Sequence, residues 1–144
     1  MRKLLLSLLC GALVAGLVLG LGTPQAKAIK AFKDEFDAKH VKPDSKDPKE
    51  KALADAAARA KCLICHRGKR KRNRNAYGKA LAELLDRRKD RDSKEKIQAA
   101  LDAVAKKKSN PDDESSPTFG DLIQDGKLPG GEPKEEKAET AASQ

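Results

Sequence analysis

Cys62-Leu63-Ile64-Cys65-His66 decides how this chain is read. Its two thiols stand three residues apart, and on a helical turn residues at that spacing share a face. Both sulfurs can then reach the vinyl groups along one edge of a porphyrin and form thioethers. The next residue, His66, is placed to offer its imidazole to the iron as proximal axial ligand, a common role of histidine in haem proteins. C-x-x-C-H is the pattern at which haem c is covalently attached. The residues predicted to hold it are Cys62 and Cys65, through thioethers, and His66, on the iron.

Two other uses of such cysteines fit less well. A thioredoxin-like dithiol needs a strand-to-helix setting within a βαβ pattern, and no convincing strand can be read anywhere in the sequence. A structural zinc site needs four ligands, and Cys62, Cys65 and His66 leave only His40 to complete the set once the first 28 residues are gone.

Removal of those 28 residues is expected from their own composition. Arg2 and Lys3 form a basic start, Leu4 to Leu21 an apolar run, and Ala26-Lys27-Ala28 a small-residue cleavage site, the three parts of a secretory signal peptide. The alternative is a retained membrane anchor, since the run is about long enough to span a bilayer. Leu8 and Leu9 stand before Cys10, where a lipoprotein site wants a small residue. Cleavage after Ala28 removes Cys10 and three basic residues, Arg2, Lys3 and Lys27, which takes the net charge from +9 to +6. The mature protein is then exported, to the periplasm or an equivalent compartment, with Cys62 and Cys65 as its only thiols.

Downstream, the pattern predicts an all-α domain of four or five short helices. Residues 29–46 give a first helix over 29–40, with Ile29, Phe32 and Phe36 on one side, and a linker after Val41-Lys42-Pro43. The haem domain proper spans 47–128. Asp47-Pro48-Lys49-Glu50 starts a helix with an N-cap, a proline in the first turn and a reciprocal glutamate. This helix runs through Ala52–Ala60 into the cysteine motif. Asn73 or Asn75 caps a third helix to about Arg88, with Tyr77, Leu81, Leu84 and Leu85 inward. Asp92-Ser93-Lys94-Glu95 opens a fourth, with Ile97, Leu101 and Val104 at helical spacing and Lys106–Lys108 at its negative end. Ser116-Pro117 opens a fifth through Phe119, Leu122 and Ile123, stopped by Gly126. Residues 129–144 lack apolar periodicity and read as a disordered tail.

Aromatic residues make up 3% of the chain and charged residues 37%, with no tryptophan. A core this thin usually needs a staple, and a large apolar cofactor plate would supply the missing interior.

Through Cys62, Cys65, His66 and the helix leading into them, the chain resembles the c-type cytochromes. It is most similar to short exported proteins with a cytochrome c domain, a basic loop and an Asn-Ala-Tyr-Gly stretch, here Asn75–Gly78. The resemblance covers about residues 50–125 and implies a small bundle around one covalent haem c that carries one electron. It departs from familiar class I members in one respect: no methionine follows Met1, so methionine cannot be the second axial ligand. His40, the only other histidine, is the candidate distal ligand. Its alternative is a solvated side chain at the end of the first helix, which leaves that iron face vacant, water-bound or held by Lys, Asn or Tyr. A vacant face would make the protein a binder of CO, NO or peroxide, and a third reading is a haem-free exported dithiol protein.

Between Lys61 and Lys79 lie Arg67, Lys69, Arg70, Lys71, Arg72 and Arg74, with no acidic residue among them. Such a run can grip haem propionates, steer an acidic redox partner protein, or bind nucleic acid. Export and the lack of interleaved aromatics around Tyr77 argue against nucleic acid. Membrane contact is expected only through an uncleaved leader. Tyr77 itself is read as core. No constellation of side chains suited to converting a substrate is visible, so the chain is read as a carrier rather than an enzyme.

Overall fold

The computed structural model describes residues 30–68 and 70–133. The expected signal segment 1–28, Ile29, Lys69 and residues 134–144 of the expected tail lie outside them. The structure is mostly helical, 53% helix, and among the described residues there are five α-helices and no strand. In chain order these are α1 (Lys30–His40), α2 (Pro48–Ala60), α3 (Ala76–Leu84), α4 (Lys94–Ala105) and α5 (Phe119–Gln124), with a 3-10 turn at Lys61–Ile64 between α2 and α3. The all-α reading and the number of helices agree with this architecture. No described helix is long and apolar enough to cross a membrane.

Local chemistry explains where the helices begin. The Asp47 carboxylate accepts from the N–H groups of Lys49 (2.7 Å) and Glu50 (3.3 Å), with Pro48 in the first turn of α2. Glu50 does not reach back to complete a reciprocal cap. Its carboxylate is taken by the Ser45 hydroxyl and the Lys42 amine, each at 2.6 Å, and the Ser45 oxygen accepts the Asp47 N–H instead. Of the two asparagines that could open α3, Asn75 does so, its side-chain oxygen accepting the Gly78 N–H at 2.9 Å. Ser93 stands at the start of α4 without a side-chain capping bond. α5 begins two residues later than its sequence suggested. Thr118 and Asp121 cap each other reciprocally, while the Ser116 hydroxyl is buried and donates to the Asn110 carbonyl at 2.9 Å.

α3 is shorter than the apolar spacing predicted. It ends at Leu84, because Asp86 captures the N–H groups of Arg88 (2.8 Å) and Lys89 (2.9 Å) in a tight turn that competes with helix continuation. Leu85 leaves the helix in an extended conformation and turns inward, 6% exposed, whereas Leu84 stays outside at 39%. After α5, Gly126 adopts a φ of 75° and its Cα lies against the Lys49 carbonyl, as a glycine stop requires.

α4 is the hub, packing against α1, α3 and α5 through Ile97, Ala100, Leu101 and Val104. α2 adds Leu53, Ala56, Ala57 and Ala60, a face continued by Ile64 in the 3-10 turn. Three rings join the layers: Tyr77 meets Phe36 and Phe119 edge-on, at centroid distances of 5.9 and 5.3 Å. Packing does not stop at Leu128, the last residue before the expected tail. Pro129 is also fully buried.

Candidate functional site

The cysteine motif sits where α2 is broken. Lys61, immediately before Cys62, has a φ of 50° and is the sole non-glycine residue with positive φ among those described. Backbone of this kind costs on the order of 1–3 kcal/mol and persists where surrounding structure imposes it. The helix therefore does not run straight into the motif, as the alanine-rich stretch implied. It gives way to a 3-10 turn in which the Cys62 carbonyl accepts from the N–H groups of Cys65 (3.3 Å) and His66 (3.1 Å). Residues i and i+3 eclipse in such a turn, and Cys62 and Cys65 stand at that spacing across its end.

Cys62, Cys65 and His66 all line a single cleft of about 710 Å3, well within the roughly 300–1,000 Å3 of ligand pockets. Its apolar surface comes from Phe32 on α1, Ile64 in the turn, and Leu81 and Leu85 at the end of α3. Its charged lining is almost all basic: Lys30 and Lys33 from α1, Lys61, then Lys71, Arg72 and Arg74 from the loop, and Arg87, against a single acid, Asp86. Cys62 is exposed, Cys65 is partly buried, and the two are not joined to each other. Burial is the main reason the Cys65 thiol is pushed up to about 12; Cys62 and Asp37 add to this and Lys33 opposes it. Cys65 is thus held as a neutral thiol at ordinary pH.

His66 is half-buried. Its N–H donates to the Cys62 carbonyl, and an isolated bridge between His66 and Arg74 closes the base of the basic loop, with the Arg67 N–H donating to the Asn73 carbonyl at 3.0 Å. Burial holds its imidazole below the usual histidine range. The Asn73 carbonyl works against that shift, and Arg74 and Lys71 reinforce it. A neutral ring is the form that ligates metals. Nδ1 of His66 is buried without a hydrogen-bond partner.

His40 is placed differently. It closes α1, packs against the Phe36 ring at 5.0 Å, and does not line the cleft that holds the cysteines and His66. Its Nε2 is buried without a partner, and burial, then the neighbouring Lys39, lower its pKa, with Asp102 opposing. Tyr77 is fully buried in the core, as read from the sequence, and its hydroxyl has no partner; burial and the nearby Cys65 push its pKa up.

The basic loop divides by position. Lys71, Arg72 and Arg74 line the cleft, whereas Arg67 and Arg70 are exposed outside it. Among the described residues none of these five forms an ion pair, while lysines elsewhere pair freely, as Lys39 does with Asp102, Lys96 with Asp90 and Lys107 with Glu83.

The donor set can be tested against the cofactor its spacing implies. Two thiols and one imidazole face one apolar-walled space, and cations at its rim can meet two carboxylates, so the residues present fit haem c. Among the described residues no group of three or more His, Cys, Asp or Glu side chains is arranged to hold a metal ion. Missing from the sequence reading were the apolar contribution of Leu85 and the α1 residues Phe32 and Lys33, which reach the cleft by tertiary packing that no local pattern encodes. No family model matches the chain, and neither a curated protein nor a solved structure does.

Proposed function

We propose that this protein is an exported c-type cytochrome that carries one electron on a single covalently attached haem c. The observation that carries the reading is that Cys62, Cys65 and His66 share one cleft with an apolar wall and a cationic rim. In this reading Cys62 and Cys65 hold the cofactor by thioethers and His66 is the proximal ligand. When bound, the haem iron supplies the one-electron chemistry. The chain does the rest: Phe32, Ile64, Leu81 and Leu85 exclude water, and Lys71, Arg72 and Arg74 compensate carboxylates. Arg67 and Arg70, outside the cleft and unpaired among the described residues, favour an acidic redox partner.

A second reading rests on His40. With that side chain outside the cleft, the same haem could keep an open face and bind CO, NO or peroxide. The third reading, a haem-free dithiol protein, would leave Cys62 and Cys65 without thioether bonds.

The deciding experiment is the mass and reduced absorption spectrum of the full chain, produced in a host that exports it and matures cytochromes c. A mass increase of one haem that survives denaturation is the expected result. Unmodified thiols, in a host where a control cytochrome matures, would overturn the proposal.

A further inference from the structure

The five-residue motif must hold a defined shape if its thiols and imidazole are to face one space, and short 3-10 turns are weak on their own. Here the shape is imposed from outside the turn. The side-chain amide of Asn75 donates to the carbonyls of Leu63 (3.1 Å) and Ile64 (2.9 Å), while the Asn75 backbone N–H donates to the Cys65 carbonyl at 3.2 Å. Three successive carbonyls inside the motif are therefore satisfied by one residue. The other end of the same side chain is engaged as well, its oxygen accepting the Gly78 N–H. Such a side chain, used as donor and acceptor at once, has little freedom left to move.

A second contact closes over it from the far end of the chain. The Cα of Gly130 lies so near that a Cβ there would stand 2.0 Å from Asn75 Nδ2 and 2.7 Å from the Ile64 carbonyl oxygen. Pro129, just before it, is fully buried. Gly130 thus packs directly on the amide, whose hydrogen bonds to the motif are part-buried.

We infer that Asn75, backed by Gly130, is a positioning residue that sets the conformation of Cys62–His66 from the polypeptide side. It rests on the proposed function only for the purpose of that shape; the clamp itself is a property of the chain. Asn75 does not itself line the cleft of the cysteines. Its role is to fix the backbone from which the two thiols and the His66 ring project, and its capping of α3 is separable from this.

That separation gives the test. Asn75→Ser keeps an oxygen able to cap α3 but loses both amide donors. Gly130→Ala leaves Asn75 intact and pushes against it. In the full chain, amide hydrogen exchange at Cys65 and His66 should quicken about tenfold or more in each variant, the factor expected from losing two ordinary hydrogen bonds, while the α3 amides from Lys79 onward keep their protection. Asn75→Asp, an equally good cap, should behave as Asn75→Ser does. Thr118→Ala, which removes the cap of distant α5, should leave Cys65 and His66 unchanged. In the haem-loaded chain the first two variants should also shift the spectroscopic signature of the His66 ligation. Unchanged exchange at Cys65 and His66, or an equal loss of protection throughout α3, would overturn the inference. Absence of haem would remove the proposed function and still leave the exchange result to decide this one.

Discussion

The Cα of Gly78 rests on the carbonyl of Cys65, so closely that a Cβ would stand 1.9 Å from the oxygen and 2.9 Å from the carbonyl carbon. Every obstructing atom is backbone, so no flexible side chain can give way. The first turn of α3 and the second cysteine are thereby pressed together, which places the motif against the helix that walls its cleft.

Gly78→Ala should therefore destabilise the protein. Within a helix this substitution ordinarily stabilises, by roughly 0.5–1 kcal/mol. Here overpacking against backbone should reverse the sign and cost about 2–3 kcal/mol. Urea unfolding of the two proteins measures the difference, and a gain in stability for the alanine variant would refute the close approach.

Leu84 and Leu85 offer a sharper contrast, because the apolar spacing of α3 assigned both inward and the structure separates them. Leu85→Ala should cost about 2–4 kcal/mol, as truncations of buried leucine do. Leu84→Ala should cost less than about 1 kcal/mol. Equal losses by thermal or urea unfolding would mean that α3 continues past Leu84.

That pair also shows what the sequence could and could not reveal. The cysteine spacing and the caps at Asp47 and Gly126 were legible because local chemistry fixes them within a few residues. The end of α3 was not, since it depends on whether Asp86 bonds to backbone or faces water. Lys61 carries no sign in its identity that its φ is positive. The burial of Pro129 was likewise hidden, because residues 128–131 pack by backbone approach and have no periodicity to read. The cleft's α1 contribution required knowing which helix lies beside which, and only its thiol and imidazole members could be named in advance.

His40 should give stability a dependence on mildly acidic pH. Burial lowers its pKa below the ordinary 6.5, Lys39 adds to this, and Asp102 on α4 opposes it. Above about pH 6.5 the ring is neutral in folded and unfolded chains alike, and it contributes no slope. Below that value the unfolded chain takes up the proton first, so stability falls until the pH reaches the lower folded value. Loss of carboxylate interactions at Asp86, Asp90 and Asp121, whose pKa values are lowered by hydrogen bonds, belongs to a separate window below about pH 4. Urea midpoints from pH 7.5 to 5 should decline in the native protein and decline less in His40→Gln. Identical profiles would show that His40 is not the source.

The same residue tests the distal face of the proposed haem. Because His40 lies outside the cleft, His40→Ala should leave the reduced absorption spectrum and its response to CO as they are in the unaltered haem protein. A change from low-spin to high-spin on this substitution would instead identify His40 as the distal ligand and require α1 to turn its last residue into the cleft.

The exposed arginines should reveal themselves through salt. Arg67 and Arg70 stand outside the cleft while Cys62, itself exposed, marks its accessible edge. An anionic oxidant such as ferricyanide should meet the reduced haem protein faster at low ionic strength. The Debye length shrinks from about 30 Å at 0.01 M to about 8 Å at 0.15 M, and the rate constant should fall several-fold over that range. A cationic cobalt complex should show the opposite trend. Replacing Arg67 and Arg70 with glutamate should flatten the salt dependence toward ferricyanide without changing haem content, since neither residue lines the cleft. If the double variant keeps the rate and the salt slope of the parent, the loop does not steer partners, and its cations serve only the cleft.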